Sequence, residues 1–145
     1  MAETSFKYDV FISYSPEDEA WADNILRQRL ADAGLRVCID DRDVEAGEMA
    51  LLSTQAAVKQ SRHLLLVLTR HWLNSEWSRF EALIARTQDP AGMENKTIPL
   101  LCGDGVQNDI GDFISARTWV DFTRKDREDI AWKQLFSVLG KPEAF

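Results

Sequence analysis

His63-Leu64-Leu65-Leu66-Val67-Leu68-Thr69 constrains this chain more than any other stretch. Five aliphatic residues in succession, with no polar alternation, define a strand covered on both faces, because a strand with one wet face would alternate. The run is far too short to span a bilayer, so it belongs inside a folded domain. Lys7-Tyr8-Asp9-Val10-Phe11-Ile12-Ser13-Tyr14-Ser15 holds a second run of this kind. Its β-branched and aromatic residues favour the pleated conformation, and it reads as the central strand of a parallel sheet. Leu35-Arg36-Val37-Cys38-Ile39, Thr97-Ile98-Pro99-Leu100-Leu101-Cys102 and Thr118-Trp119-Val120-Asp121-Phe122 complete a set of five strands. Pro99 cannot donate a ladder hydrogen bond, which blurs the boundaries of the fourth.

Between the strands the periodicity becomes helical. Pro16-Glu17-Asp18-Glu19 puts proline and acids where a helix N-terminus favours them, and Trp21, Ala22, Ile25, Leu26 and Leu30 follow as the buried stripe until Gly34 ends the helix. A second helix runs from about Glu48 to Gln60 with Met49, Leu52 and Ala56 inward. Ser75 is the expected cap of a third, whose stripe is Phe80, Leu83 and Ile84. Gln88 to Asn95 reads as loop, and Gly103 to Ser115 as loop with a helical turn. The last helix carries Trp132, Leu135, Phe136 and Leu139 at i, i+3, i+4 and i+7, and stops at Gly140-Lys141-Pro142. Short strands alternating with helices make an α/β fold: a doubly wound, flavodoxin-like parallel sheet of five strands in the order 2-1-3-4-5, with helices on both faces. The 145 residues form one domain with its core at about residues 7–139, and the abrupt end at Phe145 reads as a cut from a longer, multidomain protein.

Composition narrows the function classes. With 45% hydrophobic and 28% charged residues the chain is an ordinary soluble one, and its net charge of −7 argues against nucleic acid or an anionic membrane as partner. Cys38 and Cys102 lie inside apolar runs as small hydrophobes, and no signal peptide precedes the first strand, so a cytoplasmic location is expected. His63 starts one strand and His71 follows it, both in ordinary surface or hydrogen-bonded roles, and no metal site is expected. No glycine-rich phosphate loop follows the first strand, and no serine sits in a nucleophile elbow. The acid pair Asp40-Asp41 follows the second strand, not the first, which rules out phospho-acceptor chemistry.

In the order 2-1-3-4-5 a crevice opens between the C-terminal ends of strands one and three. Tyr14 and Ser15 follow strand one, while Trp77 and Glu81 follow strand three. The latter pair stand four apart on one helix and are therefore neighbours. Glu81 borders the stripe of Trp77, Phe80 and Ile84, where apolar surroundings would make a carboxyl hold its proton more tightly and mark a functional candidate. The plainer alternative is a solvated glutamate on the helix edge. The acidic segment from Asp40 to Gly47 reaches the same rim; most such runs are solvated loops, although loops there also close over ligands or meet partners.

These motifs together resemble a TIR (Toll/interleukin-1 receptor) domain, over residues 7 to 139. Tyr8 to Ser15 is similar to the family's first box. Arg42-Asp43-Val44-Glu45-Ala46-Gly47 is similar to the second, in the BB loop, with Ala46 where animal receptors commonly have proline. Trp132 is the trace of the third. Asn74-Ser75-Glu76-Trp77-Ser78-Arg79-Phe80-Glu81 resembles the segment that carries the catalytic glutamate of NAD-cleaving, bacterial-type members. The resemblance implies an NAD+ glycohydrolase in which Glu81 is catalytic and Tyr14, Ser15, Asp40, Glu45, Gly47 and Trp77 bind NAD+. Products would be nicotinamide and ADP-ribose or a cyclic form. It further implies NAD+ as substrate with no separate cofactor, other TIR domains as partners through the BB loop, activation by self-association, and an immune, antiphage type of signalling. The alternative within the family is a non-enzymatic adaptor or virulence module that acts through TIR–TIR contacts alone.

Overall fold

A computed structural model of the chain describes residues 7–39, 58–75, 96–103 and 120–141. Its strands are β1 (Tyr8–Ser13), β2 (Val37–Ile39), β3 (Ser61–Leu68), β4 (Thr97–Leu101) and β5 (Val120–Asp121). They form one five-stranded sheet in the order β2-β1-β3-β4-β5, and every pairing is parallel. The expected topology is therefore the observed one, with β1 and β3 adjacent along Val10↔His63, Ile12↔Leu65 and Ser13↔Leu66.

The two apolar runs are buried on both faces for the reason their composition gives. Alternate residues point to opposite sides of a strand, and Val10, Ile12, Leu65, Val67, Leu100 and Val120 meet one helical layer. That layer consists of α1 and α3. In α1, a 3-10 turn at Pro16–Asp18 passes into Glu19–Trp21, a π-helical stretch Ala22–Arg27 and a final α-turn Gln28–Asp32. Helix α3 spans Glu128–Val138 after a 3-10 turn at Lys125–Arg127. Leu26, Leu30, Leu135 and Phe136 fill the layer. On the opposite side of the sheet Phe11, Leu64, Leu66 and Leu68 are equally buried, and α2 (Arg70–Ser75) brings the buried Trp72 there.

Two expectations are corrected. Ile25 is not in the core stripe but 44% exposed. The π-helical stretch that contains it closes wider i→i+5 turns, which rotate Ile25 outward while Leu26 stays inward. A short helix begins at Arg70, where Thr69 Oγ1 accepts the Trp72 N–H at 3.1 Å, while the helix expected to follow a cap at Ser75 lies outside the described residues. The stripe of Phe80, Leu83 and Ile84, and the Met49, Leu52 and Ala56 stripe, lie outside the described residues. Finally, β3 starts at Ser61, two residues ahead of the His63 expected to open it, and His63 is a half-buried strand residue.

Pro99 is accommodated without loss of pairing to β3. The Cys102 N–H donates to the Leu68 carbonyl at 3.0 Å, so alternation turns the nitrogen of Pro99 to the other side, where the described pairing with β5 begins only at Leu100↔Val120.

Candidate functional site

The chain leaves β1 through Ser13, Tyr14 and Ser15 and turns at once. Ser15 caps the Pro16–Asp18 turn: its Oγ accepts the Glu17 N–H at 3.4 Å, and its carbonyl accepts the Asp18 N–H at 2.8 Å. It is 1% exposed, and Tyr14 is 2% exposed within the core cluster. These two, alone among the sequence-derived site residues, fall among the described residues, and both sit beneath the surface at the β1–β3 junction. Asp40, Trp77 and Glu81 lie outside the described residues, as does the whole BB segment of Arg42, Asp43, Val44, Glu45, Ala46 and Gly47.

A hydrogen-bonded chain ties that junction together. The Trp72 indole Nε1–H donates to Ser13 Oγ at 3.1 Å, joining α2 to the end of β1. Thr69, at the end of β3, accepts from the Trp72 backbone and donates its hydroxyl to Asp18 Oδ2 at 2.5 Å. At the surface, His71 Nδ1 and Glu17 Oε2 stand 2.9 Å apart, an ion pair when the imidazole is protonated. Sequence periodicity had no means of finding Thr69 and Asp18 as partners, since 51 residues separate them. Their one legible sign was chemical: Thr69 ends an apolar run at a strand-to-helix boundary, which is where a hydroxyl caps.

Beside this junction, on the α1/α3 side, a cleft of about 420 Å³ opens over the C-terminal ends of β3, β4 and β5. Val67 and Cys102 form its floor, and Trp21 and Phe122 are its aromatic walls. The walls are held by ring contacts, Trp21 to Phe122 at 5.3 Å and Phe122 to Trp132 at 5.0 Å, both edge-to-face. Trp132 is sandwiched further by the Arg29 guanidinium 4.0 Å from its ring centre. Burial pushes the Cys102 thiol up, and the negative fields of Asp18 and Asp121 add to the shift. It is therefore a protonated, unreactive thiol at neutral pH. Asp121 itself accepts the Thr123 N–H at 2.9 Å.

At the other end of the sheet, Asp9 and Arg36 form a forked pair through Nε at 3.2 Å and Nη2 at 3.1 Å, and the Asp9 carboxyl is held below its ordinary range by that bonding. His63 is pushed down by burial, with Arg62 adding to the effect. Among the described residues no group of three or more His, Cys, Asp and Glu is placed to hold a metal ion, and no helix is long and apolar enough to cross a membrane.

A parallel sheet in the order 2-1-3-4-5, with β1 and β3 adjacent, defines a class of doubly wound α/β domain. The TIR domain family model matches residues 10–136, and the chain belongs to that family. It is similar to Toll-like receptor 13 of Mus musculus, 37% identical over 86 residues that make up 57% of this chain and 9% of the receptor. It is also similar to Toll-like receptor 6 of Mus musculus, 25% identical over 141 residues, 92% of this chain and 18% of the receptor. The chain thus spans less than a fifth of either receptor. Among solved structures, the TIR domain of the Toll-related receptor TRR-2 from Hydra magnipapillata superposes with a TM-score of 0.76 at 24% identity, covering 92% of this chain and 99% of that one.

Proposed function

We propose that this TIR domain cleaves NAD+ at the nicotinamide–ribose bond when copies of it cluster. What supports the reading is the pairing of β1 with β3 out to Ser13↔Leu66. The turn after β1 and the segment leading toward Trp77 and Glu81 therefore start side by side on one rim. Glu81 would contact the ribose hydroxyls beside the scissile bond. As the C–N bond breaks its electron pair leaves with nicotinamide, and the positive charge that develops on the ribose is stabilised by the carboxylate. Water then completes hydrolysis to ADP-ribose, or a nucleophile of the same molecule closes a cyclic product. Trp77 offers a ring face to the cationic pyridinium. Tyr14 and Ser15, being buried, form the base under this site, and Asp40, Glu45 and Gly47 its rim. The BB loop, residues 42–47, would meet a neighbouring TIR domain, so that self-association completes the site in an immune, antiphage-type signalling role.

The 37% identity to Toll-like receptor 13 favours a second reading, a cytoplasmic module that signals by TIR–TIR assembly without catalysis. Nicotinamide release from protein held at high density on a scaffold separates the two, with Glu81→Ala alongside. Release by wild type alone supports the enzyme. Equal silence of both proteins under enforced clustering leaves the assembly module, and release undiminished by Glu81→Ala moves the catalytic role to another residue.

A further inference from the structure

We infer that the cleft between α1, β5 and α3 is a binding site for a small, flat organic cation. Its volume of about 420 Å³ falls within the ~300–1,000 Å³ typical of small-ligand pockets. Its walls are the rings of Trp21 and Phe122, fixed against Trp132 before any ligand arrives. Aromatic faces attract cations through the ring quadrupole, most strongly where water is excluded.

The charges point the same way. Asp18 lines the cleft with its carboxylate already oriented, because Thr69 donates to Oδ2 and is itself fixed by the Trp72 N–H. Glu128 stands at the start of α3, where with Asp129 it already supplies the negative charge that a helix N-terminus favours. Lys125 is the one cation of the lining among the described residues. Asp121, which does not line the cleft itself, accepts from the N–H and hydroxyl of the lining residue Thr123 and adds a nearby acid. Burial first, and then the nearby Asp18 and Asp121 carboxylates, push the Cys102 thiol up, which places both acids close to the floor. An anion would meet these carboxylates for the sake of one ammonium. A neutral flat molecule would use the walls alone, whereas a flat cation uses walls and acids together. The inference does not depend on NAD+ cleavage.

Benzamidinium and benzamide test it, since they share size and shape and differ in charge. Each is titrated into the dilute protein while backbone and indole NMR signals are followed. Benzamidinium should shift Trp21, Val67 and Thr123 saturably and bind at least about tenfold tighter than benzamide, as expected when a charge-assisted hydrogen bond is gained. Asp18→Asn still accepts from Thr69, and Glu128→Gln alters only the exposed rim, so both variants should fold and each should narrow the preference several-fold. Equal affinity for the two probes, no saturable shift with either, shifts centred away from the cleft, or a preference unchanged in both variants would each overturn the assignment.

Discussion

Trp72 ties the β1–β3 junction together through its indole to Ser13 and its backbone to Thr69. Trp72→Phe keeps most of the ring but deletes the Nε1–H, leaving the Ser13 hydroxyl without that donor; the expected cost is about 1–2 kcal/mol in chemical denaturation. Trp72→Ala should cost about 3–5 kcal/mol, because a fully buried ring leaves a cavity. His63 gives a pH signature. Its folded value lies below the ordinary 6.5 because burial disfavours the imidazolium. Below 6.5 the unfolded chain binds the proton first, so stability is intact above that pH and falls as pH drops toward the depressed folded value. Replacing His63 by Gln should flatten the fall in Tm between pH 7 and 5 relative to wild type; a slope of equal size in the variant would assign it to other groups. At this scale the sequence was only partly legible. Apolar runs announced their own burial, but the pairing of Thr69 with Asp18 is a tertiary fact with no local trace.

The elements are legible in the sequence where one physical rule governs them and obscure where two compete. Parallel strands were legible because burial on both faces leaves an unbroken apolar run, and α3 because its spacing places Trp132, Leu135 and Phe136 together inside. Helix α1 was harder, since a π-helical stretch breaks the 3.6-residue period on which the stripe was read. Gly34 shows the local rule at its clearest. It follows α1 at φ +91°, and the nearest atom to an added Cβ would be Lys141 Nζ at 3.9 Å. Space is therefore no obstacle to Gly34→Ala, and the penalty is conformational, about 1–2 kcal/mol for a left-handed residue with a Cβ. A thermal denaturation series should show that loss, whereas Ala31→Gly in the exposed last turn of α1 should cost at most about 1 kcal/mol.

For the whole molecule, topology was the most legible property, because strand count, alternation with helices and right-handed crossovers leave few arrangements. The rim followed from it. The site did not follow completely: Tyr14 and Ser15 serve the junction from beneath, and the cleft over β3, β4 and β5 is assembled from residues spread between Asp18 and Glu128. The chain belongs to the TIR family, and under the proposed function assembly and catalysis are coupled by the BB contact. The rate per protomer should then rise with protein density. The most direct measurement is the initial rate of nicotinamide release from NAD+, compared between dilute and scaffold-clustered wild type and clustered Glu81→Ala. Clustering should switch release on, and Glu81→Ala should lower it at least about a hundredfold, the scale of losing a preorganised electrostatic group. A clustered wild type that releases no more nicotinamide than the variant would contradict the account.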